Sequence, residues 1–172
     1  MTKSNIGLIG LGTMGAMLAL NIAEKGFGIS VFNRTTATMK TFFDNAGELA
    51  AKITPCETLE ALITTIEKPR AIILMVPAGA AVDEQIAALR LLLDADDMII
   101  DAGNANFNDT NRRASEAAAA GVPFLGIGVS GGEEGARHGP SIMGGGPEGS
   151  WNRVAHILTA ISAKYDGSPC AT

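Results

Sequence analysis

Residues 4–15 read Ser4-Asn-Ile-Gly-Leu-Ile-Gly-Leu-Gly-Thr-Met-Gly15, and the fold is decided here. An apolar run from Ile6 to Ile9 is broken by Gly10, Gly12 and Gly15, after which Ala16 to Ala23 is rich in alanine and leucine. A strand, a glycine turn and a helix start, in that order, form the arrangement that receives the pyrophosphate of a dinucleotide; the alternative is a plain glycine turn without a ligand. In that arrangement Gly10 permits the tight turn, Gly12 offers bare backbone to the pyrophosphate, and Gly15 lets the helix lie close on the strand. The free N–H groups of the first helical turn and the helix dipole favour the phosphates.

The rest of the composition narrows the class. At 172 residues the chain has the size of one domain with a sizeable core. It is 47% hydrophobic, as expected of a soluble α/β protein, and no apolar run approaches the roughly 20 residues of a membrane span. The first residues lead straight into the apolar run, with no secretory signal pattern. The net charge is −5 and lysines and arginines do not cluster, which points away from nucleic acid. An anionic ligand must therefore be held by local donors. Cys56 and Cys170 stand far apart without a CxxC partner, which reads as reduced thiols in a cytoplasmic protein.

Strand and helix patterns alternate along the whole chain. Strands are predicted at Ile29–Phe32, Ala71–Val76, Met98–Ile100 and Val122–Ile127. Between them helical patterns run over residues 37–45, 57–66, 82–93 and 109–120, and a last one over residues 151–162. Lys52-Ile53 leads only to Pro55 and is read as a connection. Repeated βα units with right-handed crossovers imply an α/β fold with a doubly wound, mostly parallel sheet. Ligands of such sheets sit beyond the carboxyl ends of the strands, so each polar or glycine-rich strand end is a candidate site.

The second strand end bears on which dinucleotide is bound. An Asp or Glu there accepts hydrogen bonds from a ribose 2′-hydroxyl and selects NAD. This chain reads Val31-Phe-Asn33-Arg34-Thr35, with no acid. Arg34 supplies a planar cation that attracts a 2′-phosphate or stacks on adenine, and Asn33 and Thr35 are neutral donors. The expectation is NADP in preference to NAD. The alternative is a solvated arginine before a helix cap at Thr35.

Two further strand ends are distinctive. Asp101-Ala-Gly-Asn104 follows a buried strand, and the Asn104 amide can both donate and accept between two ligands, or simply form an Asx-turn. From Gly128 to Gly146 the chain reads G-V-S-G-G-E-E-G-A-R-H-G-P-S-I-M-G-G-G. So many glycines predict a loop that is neither helix nor ordinary strand, with backbone brought close to a ligand. Ser130 with the N–H groups of Gly131 and Gly132 is a candidate anion nest. His138 reads as a solvated loop histidine, and Glu133-Glu134 as structural or helix N-terminal acids.

Ser130-Gly-Gly-Glu-Glu-Gly-Ala-Arg-His-Gly-Pro-Ser-Ile-Met143, with Asp101-Ala-Gly-Asn104 and Asn33-Arg-Thr35, resembles the 6-phosphogluconate dehydrogenase family. The S-G-G-x-x-G-A-x-x-G run is shared by the wider β-hydroxyacid dehydrogenases; Glu133-Glu134 and Gly139-Pro140-Ser141 narrow it. The resemblance covers essentially the whole chain and implies a Rossmann-type NADP-binding domain. It implies that Gly10, Leu11, Gly12, Thr13, Met14 and Gly15 hold the pyrophosphate, and that Asn33, Arg34 and Thr35 hold the 2′-phosphate. Val76, Pro77 and Ala78 are expected near the nicotinamide, and Asn104 against both cofactor and substrate. Ser130, Gly131 and Gly132 are expected to bind 6-phosphogluconate, which is oxidised at its 3-hydroxyl and loses carbon dioxide without a metal, giving ribulose 5-phosphate.

The chain departs from the family pattern in three places. Gly12 stands where members usually have alanine, Pro77 where many have lysine, and Ala102 where many have glycine. The family's general-base lysine and acid glutamate come from a helical domain that follows the point where this sequence ends, and that domain also supplies most of a homodimer contact. The expectation is a cofactor-binding domain, residues 1–172, that binds NADP without turnover and is monomeric or pairs through uncovered apolar surface. Two other readings stand beside it: the cofactor domain of another β-hydroxyacid dehydrogenase, such as one acting on 3-hydroxyisobutyrate, and a non-catalytic nucleotide-sensing module.

Overall fold

In the computed structural model, which describes residues 3–172, the apolar runs pair into one seven-stranded sheet. Its strands are β1 (Ile6–Ile9), β2 (Ile29–Phe32), β3 (Ile53–Cys56), β4 (Ala71–Leu74), β5 (Met98–Asp101), β6 (Phe124–Ser130) and β7 (Ser141–Gly145). They lie in the order β3-β2-β1-β4-β5-β6-β7, with β1 to β6 parallel and β7 antiparallel to β6. The connecting helices are α1 (Thr13–Glu24), α2 (Thr36–Asp44), α3 (Leu59–Thr65), α4 (Ala80–Arg90), α5 (Phe107–Ala119), α6 (Gly132–His138) and α7 (Glu148–Ile161). A 3-10 turn spans Gly47–Lys52, and a small antiparallel pair, β8 (Lys164–Tyr165) and β9 (Ser168–Pro169), follows α7. This is the doubly wound, Rossmann-type α/β arrangement expected from the repeated βα units.

Strand periodicity divides the core in two. Ile6 and Leu8 of β1, Ile29 and Val31 of β2 and Ile73 of β4 face one side, packed with Leu18 and Ile22 of α1 and Val154, Ile157 and Leu158 of α7. Ile9, Ile72, Leu74 and Ile99 face the other, against Leu62 of α3, Val82, Ile86 and Leu89 of α4 and Ala117 of α5. β1 and β4 are buried along their whole length, as a strand covered by helices on both faces must be. Burying each such Leu or Ile contributes about 1.5–3 kcal/mol, so these two layers fix the sheet.

Three parts differ from the sequence reading. Ile53–Cys56 is a strand in spite of Pro55, because β3 is the outer strand of the sheet and a missing N–H is tolerated at an edge. Residues 128–146 are not a loop. β6 continues through Ser130, α6 follows, and β7 returns along β6 in register from Ser130 opposite Ser141 to Gly126 opposite Gly145. The antiparallel ladder satisfies the backbone groups that glycine-rich sequence leaves without side-chain help. Much of the glycine there serves close packing: a Cβ on Gly144 would lie 2.7 Å from the Trp151 ring, and one on Gly128 2.8 Å from Met143. Two helices also begin ahead of their apolar patterns, α1 at Thr13 and α7 at Glu148, since their first turns are polar or glycine-rich.

Candidate functional site

Because β1 to β6 run parallel, their carboxyl ends share one edge of the sheet, and the strand order reverses between β1 and β4. A crevice opens at such a reversal. Here it is a cleft of about 260 Å³ lined by Gly10, Gly12, Asn33, Arg34, Thr35, Val76 and Pro77, with Ile9, Phe32 and Met75 at its base and Ala81, Glu84 and Gln85 from α4. Three segments singled out in the sequence, far apart along the chain, therefore meet in one place.

The glycines divide by role. Gly10 has φ +101°, and a Cβ there would sit 2.3 Å from the Met75 carbonyl oxygen. A Cβ on Gly15 would sit 1.9 Å from the Gly10 carbonyl oxygen, so α1 starts against bare turn backbone. Gly12 is different: φ is −68°, and a Cβ there would meet nothing within 4 Å. It leaves open space on the cleft side. No side chain caps α1, so the N–H groups of Thr13 and Met14 are available to an anion. Leu11 is buried beneath the turn, Thr13 is exposed and Met14 is half-buried.

At the end of β2 the Asn33 amide is already engaged. Its Oδ1 accepts from the Leu11 N–H at 2.9 Å and its Nδ2 donates to the Thr35 carbonyl at 3.1 Å. Asn33 thus ties the glycine turn to the start of α2. Arg34 and Thr35 are exposed in the cleft, and Thr35 is the N-cap of α2 without a side-chain hydrogen bond of its own. Of the lining residues only Glu84 carries a carboxylate.

Pro77 and Ala78 are exposed at the end of β4, and Pro77 but not Ala78 lines the cleft. Asn104 lies beyond β5 and is exposed; Ser130 ends β6 and is exposed. These share the sheet edge with the cleft but do not line it. The Asx-turn after β5 belongs to Asp101, whose Oδ1 accepts from the Gly103 N–H at 3.2 Å, and the Asn104 side chain has no part in it. Gly131 (φ +135°) and Gly132 (φ +61°) turn the chain from β6 into α6, where Glu133 and Glu134 occupy the first turn and Arg137 and His138 the last, each complementing the helix dipole. His138 is exposed, with Nε2 3.7 Å from Glu134 Oε2. Asn21 of α1 holds α6 in place: its Nδ2 donates to the carbonyls of Ala136 and Ile161, each at 3.0 Å. Arg137 also forks onto Glu24 of α1 at 3.0 and 2.8 Å.

Two groups escaped the sequence reading. Ala81, Glu84 and Gln85 reach the cleft from one face of α4; their i, i+3, i+4 spacing behind Val76-Pro77-Ala78 was the available signal. The other is a buried ion network beside the cleft. The Arg113 guanidinium, 1% exposed, donates to Asp83 (2.8 and 3.2 Å), Asp101 (3.3 Å) and the Gly79 carbonyl (3.1 Å). Hydrogen bonds from Arg113, and then Arg112, hold the Asp83 carboxyl down to about 2. Burial pushes Asp101 upward against the pull of the Gly103 N–H and Arg113. A larger hollow of about 460 Å³, lined by Lys68, Asp94, Asp96, Asp97 and Arg153, lies at the opposite edge, by the amino ends of β4 and β5, away from the glycine turn.

Comparison with known proteins agrees with this geometry. Residues 5–170 match the family described as the NAD binding domain of 6-phosphogluconate dehydrogenase. The decarboxylating 6-phosphogluconate dehydrogenase of Drosophila melanogaster is 48% identical over 98% of the chain, and the NADP(+)-dependent decarboxylating enzyme of Bacillus subtilis is 47% identical over 100%. The chain spans only 35% and 36% of the lengths of these relatives. Among solved structures, Plasmodium falciparum 6-phosphogluconate dehydrogenase, determined apo and in complex with NADP+ and with 6-phosphogluconate, superposes with a TM-score of 0.93 at 42% identity, over 98% of this chain and 36% of that one. A 3-hydroxyisobutyrate dehydrogenase from Mycobacterium tuberculosis superposes at 0.79 over 98% of this chain and 54% of its own, but at 21% identity it shares the fold alone. No helix among the described residues is long and apolar enough to cross a membrane. The chain belongs to the family of the 6-phosphogluconate dehydrogenase NAD-binding domain.

Proposed function

We propose that this chain binds NADP in the cleft between β1, β2 and β4 and serves as the cofactor-binding part of a decarboxylating 6-phosphogluconate dehydrogenase. The observation that carries the reading is the end of β2, where Arg34 and Thr35 stand exposed in the cleft and no carboxylate occupies positions 33–35. A 2′-phosphate gains charge-assisted hydrogen bonds from Arg34, about 1.5–3 kcal/mol each, where an acid would repel it. The residues present fit the group: Gly12 leaves the space and the uncapped start of α1, with Leu11, Thr13 and Met14 in the turn, supplies N–H donors. Val76, Pro77 and Ala78 border the nicotinamide half. On the same sheet edge, Asn104 meets both cofactor and substrate, and Ser130, Gly131 and Gly132 hold 6-phosphogluconate with it.

Bound there, the nicotinamide supplies the hydride acceptor for oxidation of the 3-hydroxyl, whose β-keto product loses carbon dioxide to give ribulose 5-phosphate. The residues of this chain bind and orient. The general base and the acid come from residues outside these 172, in a full-length cytoplasmic homodimer. Amide NMR of the chain tests this reading. NADP should shift the signals of Gly12 to Gly15, Arg34 and Asn104, and 6-phosphogluconate those of Asn104 and Ser130 to Gly132, with no NADPH fluorescence when both are added. Shifts at Asn104 and Ser130 with 3-hydroxyisobutyrate but not 6-phosphogluconate would overturn the substrate assignment. Turnover by the chain would overturn the placement of the base.

A further inference from the structure

Val76 and Pro77 after β4, and Ala81, Glu84 and Gln85 of α4, border the cleft. The hydrophobic layer reaches α4 through Val82, Ile86 and Leu89 but stops short of Pro77 to Gly79, which are exposed or half-buried. What grips this end is the Arg113 side chain, from the middle of α5.

Its fork meets the start of α4 at two points and the end of β5 at once. Nε and one terminal nitrogen pair side-on with the Asp83 carboxylate in the first turn of α4. The same terminal nitrogen reaches the Gly79 carbonyl, and the other reaches Asp101 at the end of β5. Asp101 in turn accepts from the Gly103 N–H, one residue before Asn104. The two strand ends also touch directly: the Ala102 N–H donates to the Leu74 carbonyl at 3.0 Å, and Gly103 lies so close to the Val76 carbonyl that a Cβ would be 3.2 Å from it. Arg112 completes the set from outside, donating to both oxygens of Asp83 at 3.0 and 3.1 Å and to Glu116 at 3.0 Å.

We infer that Arg113 is a positioning residue for cofactor binding: it locks the α4 wall of the cleft and the Asn104 segment into one geometry. The chemistry explains why the residue is arginine. Four donors of a rigid planar fork are used in three directions, whereas a lysine ammonium is a single point that cannot span Asp83, Gly79 and Asp101 together. The pairing with two carboxylates also makes burial of the cation tolerable, since a buried charge without partners is strongly unfavourable. Arg113 does not line the cleft, so any effect on the ligand passes through the segments it holds.

The inference rests on the NADP reading above, and the test keeps the two apart. Arg70 provides the control. It too is a buried arginine paired with aspartates, Asp97 and Asp94, but at the amino end of β4, on the opposite edge of the sheet. NADP affinity is measured by calorimetry for the wild-type chain, Arg113→Lys, Arg70→Lys and the milder Asp83→Asn, with thermal stability recorded for each. The expected result is roughly tenfold weaker NADP binding for Arg113→Lys, equivalent to about 1.4 kcal/mol, a smaller loss for Asp83→Asn, and wild-type affinity for Arg70→Lys. In NMR the shift that NADP induces at the Asn104 amide should shrink in the Arg113 variant, while that at Arg34 persists. Should Arg113→Lys fail to fold, Asp83→Asn carries the same reading. Wild-type affinity in a folded Arg113→Lys, or in Asp83→Asn where the former is unfolded, overturns the inference, as does equal weakening in Arg70→Lys. A wild-type chain that takes up no NADP overturns the cofactor reading and this inference with it.

Discussion

Gly15 and Gly10 meet backbone to backbone: a Cβ on Gly15 would lie 1.9 Å from the Gly10 carbonyl oxygen, closer than any side chain can come. Gly12, between them in sequence, has open space around it. Gly15→Ala must push α1 away from the turn and should lower stability by about 3 kcal/mol, the upper end for overpacking. Gly12→Ala, at φ −68°, should be neutral or stabilising by up to about 1 kcal/mol. Urea unfolding of the two variants, side by side, checks the contrast.

Asn33 couples the glycine turn to the start of α2. Asn33→Ala removes the acceptor for Leu11 and the donor to Thr35, and should cost about 1–2 kcal/mol. Asn33→Asp keeps the acceptor for Leu11 but places a carboxylate at the end of β2. It should retain most of the stability while moving cofactor preference toward NAD, read as a drop in the ratio of NAD to NADP dissociation constants.

Asn21 is the buried link between α1, α6 and the end of α7. Its two N–H donors are both used, while its Oδ1 is buried with no partner among the described residues. Asn21→Asp would turn a carboxylate toward two carbonyls and should cost about 3–5 kcal/mol, as an unpaired buried charge does. Asn21→Ala should cost less, about 2 kcal/mol. The reverse order in chemical denaturation would show that the donors do not matter.

Acid titration should single out Asp83. Its carboxyl is held at about 2, below its ordinary 3.8, by Arg113 and Arg112. A depressed acid stabilises the fold above its unfolded value, and that contribution fades as pH falls from about 4 through about 2. Asp101, shifted upward by burial, works in the opposite sense: its contribution is present at low pH and is lost as pH rises through its folded value. Asp83→Asn should therefore flatten the loss of stability between about pH 4 and pH 2 in urea unfolding, while Asp101→Asn should not.

The alternation of elements and the glycine turn were legible because they rest on local patterns. Ile6–Ile9 and Ile29–Phe32 form strands at the residues their apolar runs indicate. What was not legible depends on partners distant in sequence. β7 buries only Ile142 of its five residues, and it is a strand because β6 lies beside it. α6 is a seven-residue helix packed on α1 through Ala136 and Asn21, and its glycines hid that from a propensity reading. Pro55 masked an edge strand. At the site, the glycine turn, Asn33 to Thr35 and Val76-Pro77 could be read as strand ends, but the Asn33 amide turned inward to the turn. Arg113, inside an ordinary alanine-rich helix, gave no sign of its partners 12, 30 and 34 residues away.

Arg34 is proposed to make this cleft an NADP site. The most direct test is calorimetric titration of the chain with NADP and NAD at fixed salt, repeated with Arg34→Ala. NADP should bind at least about tenfold tighter, a difference of about 1.4 kcal/mol that the substitution erases. Equal affinity for the two cofactors in the wild-type chain would contradict it.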